Sequence, residues 1–153
     1  VAKIEIRKSI LDDVPHGVEL FREFHKEIEE NFGEFHQPTI IRKMVYYITE
    51  EICFTLLKDG QRIGFIAGII TTMTFDDRCP VWVEVAWFVK KEHRRYGVQL
   101  LNKSEEWCRA NGIKKMLIGH TSMADEDKMA VFYNKKGFKL YEKHFLKDLQ
   151  GAI

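Results

Sequence analysis

The stretch at residues 85–101, VAWFVKKEHRRYGVQLL, sets a basic loop and a glycine between a buried-strand pattern and an amphipathic helix. Such a junction suits an anion. The first N–H groups of a helix lack intrahelical acceptors, and the positive end of the helix dipole adds to their pull on negative charge. Arg94 and Arg95 raise the local positive potential and are able to hydrogen-bond phosphate oxygens. Gly97 has no Cβ and lets a ligand approach the backbone. The residues therefore read as a pyrophosphate cradle, and a plain strand-to-helix turn is the competing reading. Just upstream, Glu84 is a carboxylate inside an otherwise apolar strand, so it needs a partner or a cleft; a solvent-facing position near the strand's entrance stands beside that reading.

Several elements must position these groups. Residues 2–8 alternate apolar and charged side chains in the manner of a half-buried strand. Asp12 or Asp13 caps a helix with Pro15 in its first turn, and Val18, Phe21, Phe24 and Ile28 recur at helical spacing. A break at residues 31–38, around Gly33, precedes a second helix over residues 39–49. Strands at 52–57 and 63–75 flank the Asp59-Gly60 turn as a hairpin, and Pro80 opens a strand over 81–89. The helix after Gly97 stops at Asn111-Gly112, a short strand covers 115–119, and a helix over 124–136 ends at Gly137. Residues 138–146 form the last strand or strands. The order βααβββαβαβ predicts an α/β fold, a mixed sheet with helices on both faces, in a single domain over residues 1–153.

Composition narrows the function. The chain has 153 residues, 45% of them hydrophobic and 31% charged, with a formal net charge of +1. That balance offers no global field for nucleic acid or an anionic membrane. Trp82, Trp87 and Trp107 have core-like spacing, which favours packing over base stacking. No apolar run approaches the roughly 18 residues of a membrane span, and no signal-peptide pattern opens the chain. Cys53, Cys79 and Cys108 are widely spaced, as free thiols in a reducing compartment are. Cytoplasm is the expected location. The histidines show no paired metal-ligand spacing, so no metal is expected. Neither GxSxG nor a Walker-type loop occurs, against a serine hydrolase or a nucleotide triphosphatase.

The run Val89-Lys90-Lys91-Glu92-His93-Arg94-Arg95-Tyr96-Gly97-Val98-Gln99 resembles the acetyl-CoA loop of GCN5-related N-acetyltransferases (GNAT). That loop reads Arg or Gln, two residues, Gly, one residue, then Gly or Ala. Arg94 and Gly97 match it, while Gln99 stands at the small-residue position. Ala130-Val131-Phe132-Tyr133-Asn134-Lys135-Lys136-Gly137-Phe138 resembles the family's late helix, where an aromatic pair precedes Gly-Phe. The resemblance implies a mostly antiparallel mixed sheet, with pantetheine inserted between the strand ending at Val89 and the one ending near His120. It implies that backbone groups of Trp87, Phe88 and Val89 pair with the pantetheine, and that the Val89 N–H polarises the thioester carbonyl. Amides of Arg95, Tyr96, Gly97, Val98 and Gln99 would hold the pyrophosphate.

The family pattern places Tyr133 near the cofactor sulfur as general acid; by helical spacing alone it is a packing residue. For the general base, Glu84 ranks first and His120, ending the strand beside the implied cleft, second. The region of residues 31–38 commonly walls the acceptor site in this family. Phe32, Glu34, Phe35 and His36 are thus candidate pocket residues, with Glu34 attracting an amine, and core-plugging phenylalanines are the other reading. The acidic pair Asp76-Asp77 before Arg78 is a further candidate on that side.

The expected activity is transfer of an acetyl group from acetyl-CoA to a primary amine of a small molecule or protein, by direct attack in a ternary complex. Neither nucleic acid nor membrane is an expected partner, and a homodimer is an expectation from the resemblance. The rival is a non-catalytic acyl-CoA-binding or protein-interaction module on the same fold.

Overall fold

A computed structural model describes residues 1–28, 33–120 and 125–150. Phe32 lies outside these residues. The chain forms two compact units, Val1–Gly119 and His120–Ile153.

The first unit holds five strands in one sheet, in the spatial order of the chain. They are β1 (Ile4–Lys8), β2 (Ile52–Lys58), β3 (Gln61–Met73), β4 (Asp76–Val89) and β5 (Lys115–Leu117). Successive strands pair antiparallel up to β4, and β4 pairs with β5 in parallel. Helices α1 (Val14–Ile28) and α2 (Gln37–Glu50) lie between β1 and β2, and α3 (Gly97–Ala110) joins β4 to β5. The Asp59-Gly60 turn has positive φ at both residues (49° and 81°), the twist a two-residue hairpin needs. β4 is longer than its apolar pattern foretold. Pro80 sits inside it, opposite Thr72, with its carbonyl taken by the Lys114 N–H at 2.9 Å.

Both faces of the sheet are covered. On one face Phe54, Leu56, Ile66, Trp82 and Val89 pack with Leu100 and Cys108 of α3. On the other, Cys53, Phe65, Ala67, Ala86 and Phe88 pack with Leu20 of α1 and Tyr47 of α2. Trp82 and Phe88 share parity in sequence yet lie on opposite faces. A bulge causes this: Gly68 opposes Glu84 and Ala67 opposes Ala86, so Val85 is the extra residue on β4. Gly68 is required here by its neighbour, because a Cβ on it would stand 2.1 Å from the Trp82 indole. The thiols of Cys53 and Cys108, both buried, are pushed up to about 11, chiefly by desolvation, and stay protonated at neutral pH.

Asp13 does not cap α1 by the expected route. It lies in a 3₁₀ turn (Leu11–Asp13), is 2% exposed, and its carboxylate accepts the Ile10 N–H instead.

The second unit contains α4 (Glu126–Lys135). Asp125 caps it by accepting the Lys128 N–H at 3.1 Å. At its other end Gly137 has φ +88° and the Phe138 N–H returns to the Tyr133 carbonyl, a six-to-one closure. The strand expected over residues 138–146 is not present among the described residues. No regular secondary structure is assigned there, and Leu140, Tyr141 and Phe145 are exposed. A strand exists through its pairing, and this unit offers no second strand among its described residues.

Candidate active site

The site begins where the parallel ladder ends. Val81, Trp82 and Val83 pair with Lys115, Met116 and Leu117, whereas β4 runs on to Val89. Lys90 gives its N–H to the Ile63 carbonyl at 2.9 Å, on the β3 edge. Successive residues of a strand aim their N–H groups at opposite edges, so Val89 directs its N–H and C=O towards the β5 edge.

After Val89 the chain enters a 3₁₀ helix (Lys91–Tyr96) that runs directly into α3, whose first turn has no side-chain cap. The Gly97 N–H is taken by the Arg94 carbonyl inside that turn. Arg94 donates from Nε to the Val89 carbonyl at 3.2 Å, pairs with Glu27 of α1, and lies 5.8 Å from the Phe88 ring centroid. Its guanidinium therefore braces the end of β4. Arg95 is exposed and folds over its neighbour Tyr96, 4.6 Å from the ring centroid. Gln99, at the position where the family pattern is small, is exposed on the first turn of α3.

Gly97 has ordinary helical backbone angles (φ −61°, ψ −34°). A Cβ on it would meet Val89 Cγ2 at 3.4 Å and the Trp87 ring at 3.8 and 3.9 Å, all normal contacts. The protein's own packing thus accommodates alanine at this position, while a ligand approaching the helix start would not. Gly97→Ala is expected to leave the melting midpoint unchanged or raise it, since alanine is preferred to glycine in a helix by about 0.5–1 kcal/mol. It is expected to weaken coenzyme A binding in calorimetry by roughly tenfold. Lower stability with unaltered binding would show that the glycine serves the fold.

Glu84 lies beside the bulge, half-buried, and no hydrogen-bond partner of its carboxylate is found among the described residues. Desolvation pushes its carboxyl up to about 7. Two residues earlier, Trp82 is fully buried and its indole N–H finds no acceptor among the described residues. In the second unit, His120 and Tyr133 stack with ring centroids 5.8 Å apart, and Phe138 meets Tyr133 edge-on at 5.9 Å. Two of the three candidate catalytic side chains are thus brought together.

Among the acceptor candidates, Phe35 packs on α1, under the Arg22 guanidinium (4.5 Å) and against His25 (5.8 Å). Glu34 is exposed, and His36 Nδ1 lies 2.7 Å from Thr39 Oγ1. Asp76 is occupied by Arg78, whose Nε donates to it at 2.9 Å. Neither the bulge at Val85 nor the engagement of Arg94 by Glu27 has a signature in the local sequence; both arise from distant partners. Among the described residues no group of three metal-ligating side chains occurs, and no helix is long and apolar enough to cross a membrane.

A family model described as the acetyltransferase (GNAT) family matches residues 18–138, and the chain belongs to that family. The resemblance read in the loop and the late helix, and the mixed, mostly antiparallel sheet, are borne out. Over 101 residues the chain is 29% identical to the uncharacterized protein YxbD of Bacillus subtilis (strain 168); the match covers 66% of this chain and 58% of that protein's length. The fold superposes on the aminoglycoside N-acetyltransferase AAC(6')-Iy in complex with CoA, with a TM-score of 0.76 and 16% identity, covering 98% of this chain and 97% of that one. It also superposes on glucosamine-6-phosphate N-acetyltransferase from Arabidopsis thaliana, with a TM-score of 0.71 and 14% identity, covering 97% and 99%.

Proposed function

We propose that this chain is a single-domain N-acetyltransferase that moves an acetyl group from acetyl-CoA to a primary amine by direct attack. The observation that carries this reading is the parallel ladder stopping at Val83 and Leu117 while β4 continues to Val89 with its N–H aimed at that edge. The family match spans both compact units, which supports one functional domain.

Acetyl-CoA, when bound, supplies an activated acyl thioester. Backbone groups of Trp87 and Val89 pair with the pantetheine in the manner of an added strand, Phe88 being turned to β3 by the same alternation, and the Val89 N–H donates towards the acyl oxygen. The start of α3 at Gly97, Val98 and Gln99, with the basic Arg94, Arg95 and Tyr96 turn before it, attracts the diphosphate. Glu84, poised near neutrality, accepts a proton from the ammonium of the acceptor. Tyr133 Oη donates a proton to the departing sulfur, with His120 stacked on its ring. Glu34 and Phe35 contribute to acceptor binding, and the acceptor is a small amine or a protein amine.

Thiol release from acetyl-CoA in the presence of a panel of amines tests this. Tyr133→Phe is expected to lower turnover by about 10²-fold with coenzyme A binding retained. Tight coenzyme A binding without turnover on any amine would make the chain a binding module instead. Absence of coenzyme A binding would sink both readings.

A further inference from the structure

The carboxy-terminal half of α1 touches two loops at once. Arg22 and His25, one turn apart, hold the first residue of α2 and the segment before it: Arg22 donates to Gln37 Oε1 at 2.7 Å, and His25 Nε2 lies 2.6 Å from the Gly33 carbonyl. Glu23 and Glu27, one turn apart on another face, reach the basic loop after β4. Glu23 lies 3.8 Å from Lys90 Nζ, and Glu27 pairs with Arg94. Between them Phe24 stacks on Phe88 of β4 at 5.4 Å, so the helix is seated on the strand that leads into the basic loop.

We propose that Glu23 and Glu27 are positioning residues that tune coenzyme A affinity and link the two substrate sites. This rests on the reading of the basic loop as the diphosphate site. The carboxylates neutralise Lys90 and Arg94, the same cations an incoming diphosphate attracts. Arg94 and Glu27 keep 47% and 39% of their side-chain surface exposed, so water screens the pair and its exchange for a phosphate contact is easy. A helix released from one loop while still holding residues 33–37 transmits cofactor binding to the acceptor side. Glu27 thereby sets how much of the Arg94 charge the cofactor meets.

Calorimetry with coenzyme A on the full chain, at low and high salt, tests this with Glu27→Gln, Glu23→Gln and Glu19→Gln. Glu19 lies on the same helix but pairs with Arg22, on the side of residues 33–37, so its variant carries the same charge change without a contact to the basic loop. Glu27→Gln is expected to tighten coenzyme A binding roughly two- to fivefold at low salt, with the gain fading at high salt. Glu23→Gln should act in the same direction more weakly, and Glu19→Gln should match the wild type. Glu23→Gln also keeps the question decidable if Glu27→Gln does not fold. Amide exchange at residues 33–37 should respond to coenzyme A in the wild type and respond less in Glu27→Gln. Equal affinity of Glu27→Gln and wild type, an equal gain in Glu19→Gln, or no response at residues 33–37 would overturn the inference while leaving the acetyltransferase reading intact. Failure of the wild-type chain to bind coenzyme A at all would remove that reading and this one with it.

Discussion

Glu84→Gln is expected to lower kcat/KM for amine acetylation by about 10²–10³-fold and to erase the acid limb of its pH profile. The carboxyl stands beside the Val85 bulge without a hydrogen-bond donor among the described residues, and desolvation pushes it from 4.5 up to about 7. A base acts when ionised, so wild-type activity should fall as pH drops through about 7. Stability moves in the opposite direction. With a raised carboxyl, the favourable contribution is present below about 4.5 and is lost as pH rises through about 7. Glutamine carries no such burden, so above neutrality the variant should be more stable by up to about 3 kcal/mol, less whatever residual water contact relieves the wild type. Gain of stability with loss of turnover is a signature that a merely structural glutamate would not produce. If the acid limb survives Glu84→Gln and disappears in His120→Ala, the imidazole is the base.

The second large effect is on the fold. Asp13→Ala is expected to destabilise the chain by about 3–5 kcal/mol in urea titration at pH 7. The carboxylate accepts from Arg7 at 2.7 and 2.8 Å, from Arg62 Nε at 2.6 Å, from the Ile10 N–H at 2.8 Å and from Thr55 Oγ1 at 3.2 Å. These donors tie β1, the 3₁₀ turn, β2 and β3 together through one side chain, and its removal leaves two guanidinium groups without their shared anion. Their side chains are 29% and 21% exposed, so water recovers part of the loss and the lower end of the range is expected. Burial by itself would raise the Asp13 carboxyl; the donors from Arg7, Ile10 and Arg62 overcome that and hold it well below the usual carboxylate range. The stabilisation is therefore present above about pH 4 and is lost as pH falls below it. Wild-type stability should decline on acidification through that window, and Asp13→Asn should flatten the decline. An Asp13→Ala melt indistinguishable from wild type would refute the role assigned to this cluster.

The two carboxylates show how one residue type takes opposite roles. Asp13 is buried among donors and stays ionised to low pH; Glu84 is half-buried without them and titrates near neutrality. In the sequence both were acidic residues beside apolar ones. Glu84 stands out in the sequence because an apolar strand has no use for a charge, whereas Asp13 reads as a helix cap because a carboxylate before Pro15 fits that pattern equally well.

The chain's own order of residues determined the element sequence through β5 and α4, the Asp59-Gly60 hairpin, the stops at Gly112 and Gly137, and the basic loop opening α3. Each of these depends on neighbours within a turn or two: alternation for strands, apolar spacing for helices, positive φ at turns. Tertiary contacts alone decided the bulge at Val85, the attachment of Arg94 to Glu27, the five donors around Asp13 and, among the described residues, the lack of a ladder at residues 138–146. Such features are settled by residues far apart in the chain, 67 positions for Arg94 and Glu27 and 49 for Arg62 and Asp13. Local propensity has no term for a partner that only folding brings near, and a strand, unlike a helix, holds its hydrogen bonds outside itself.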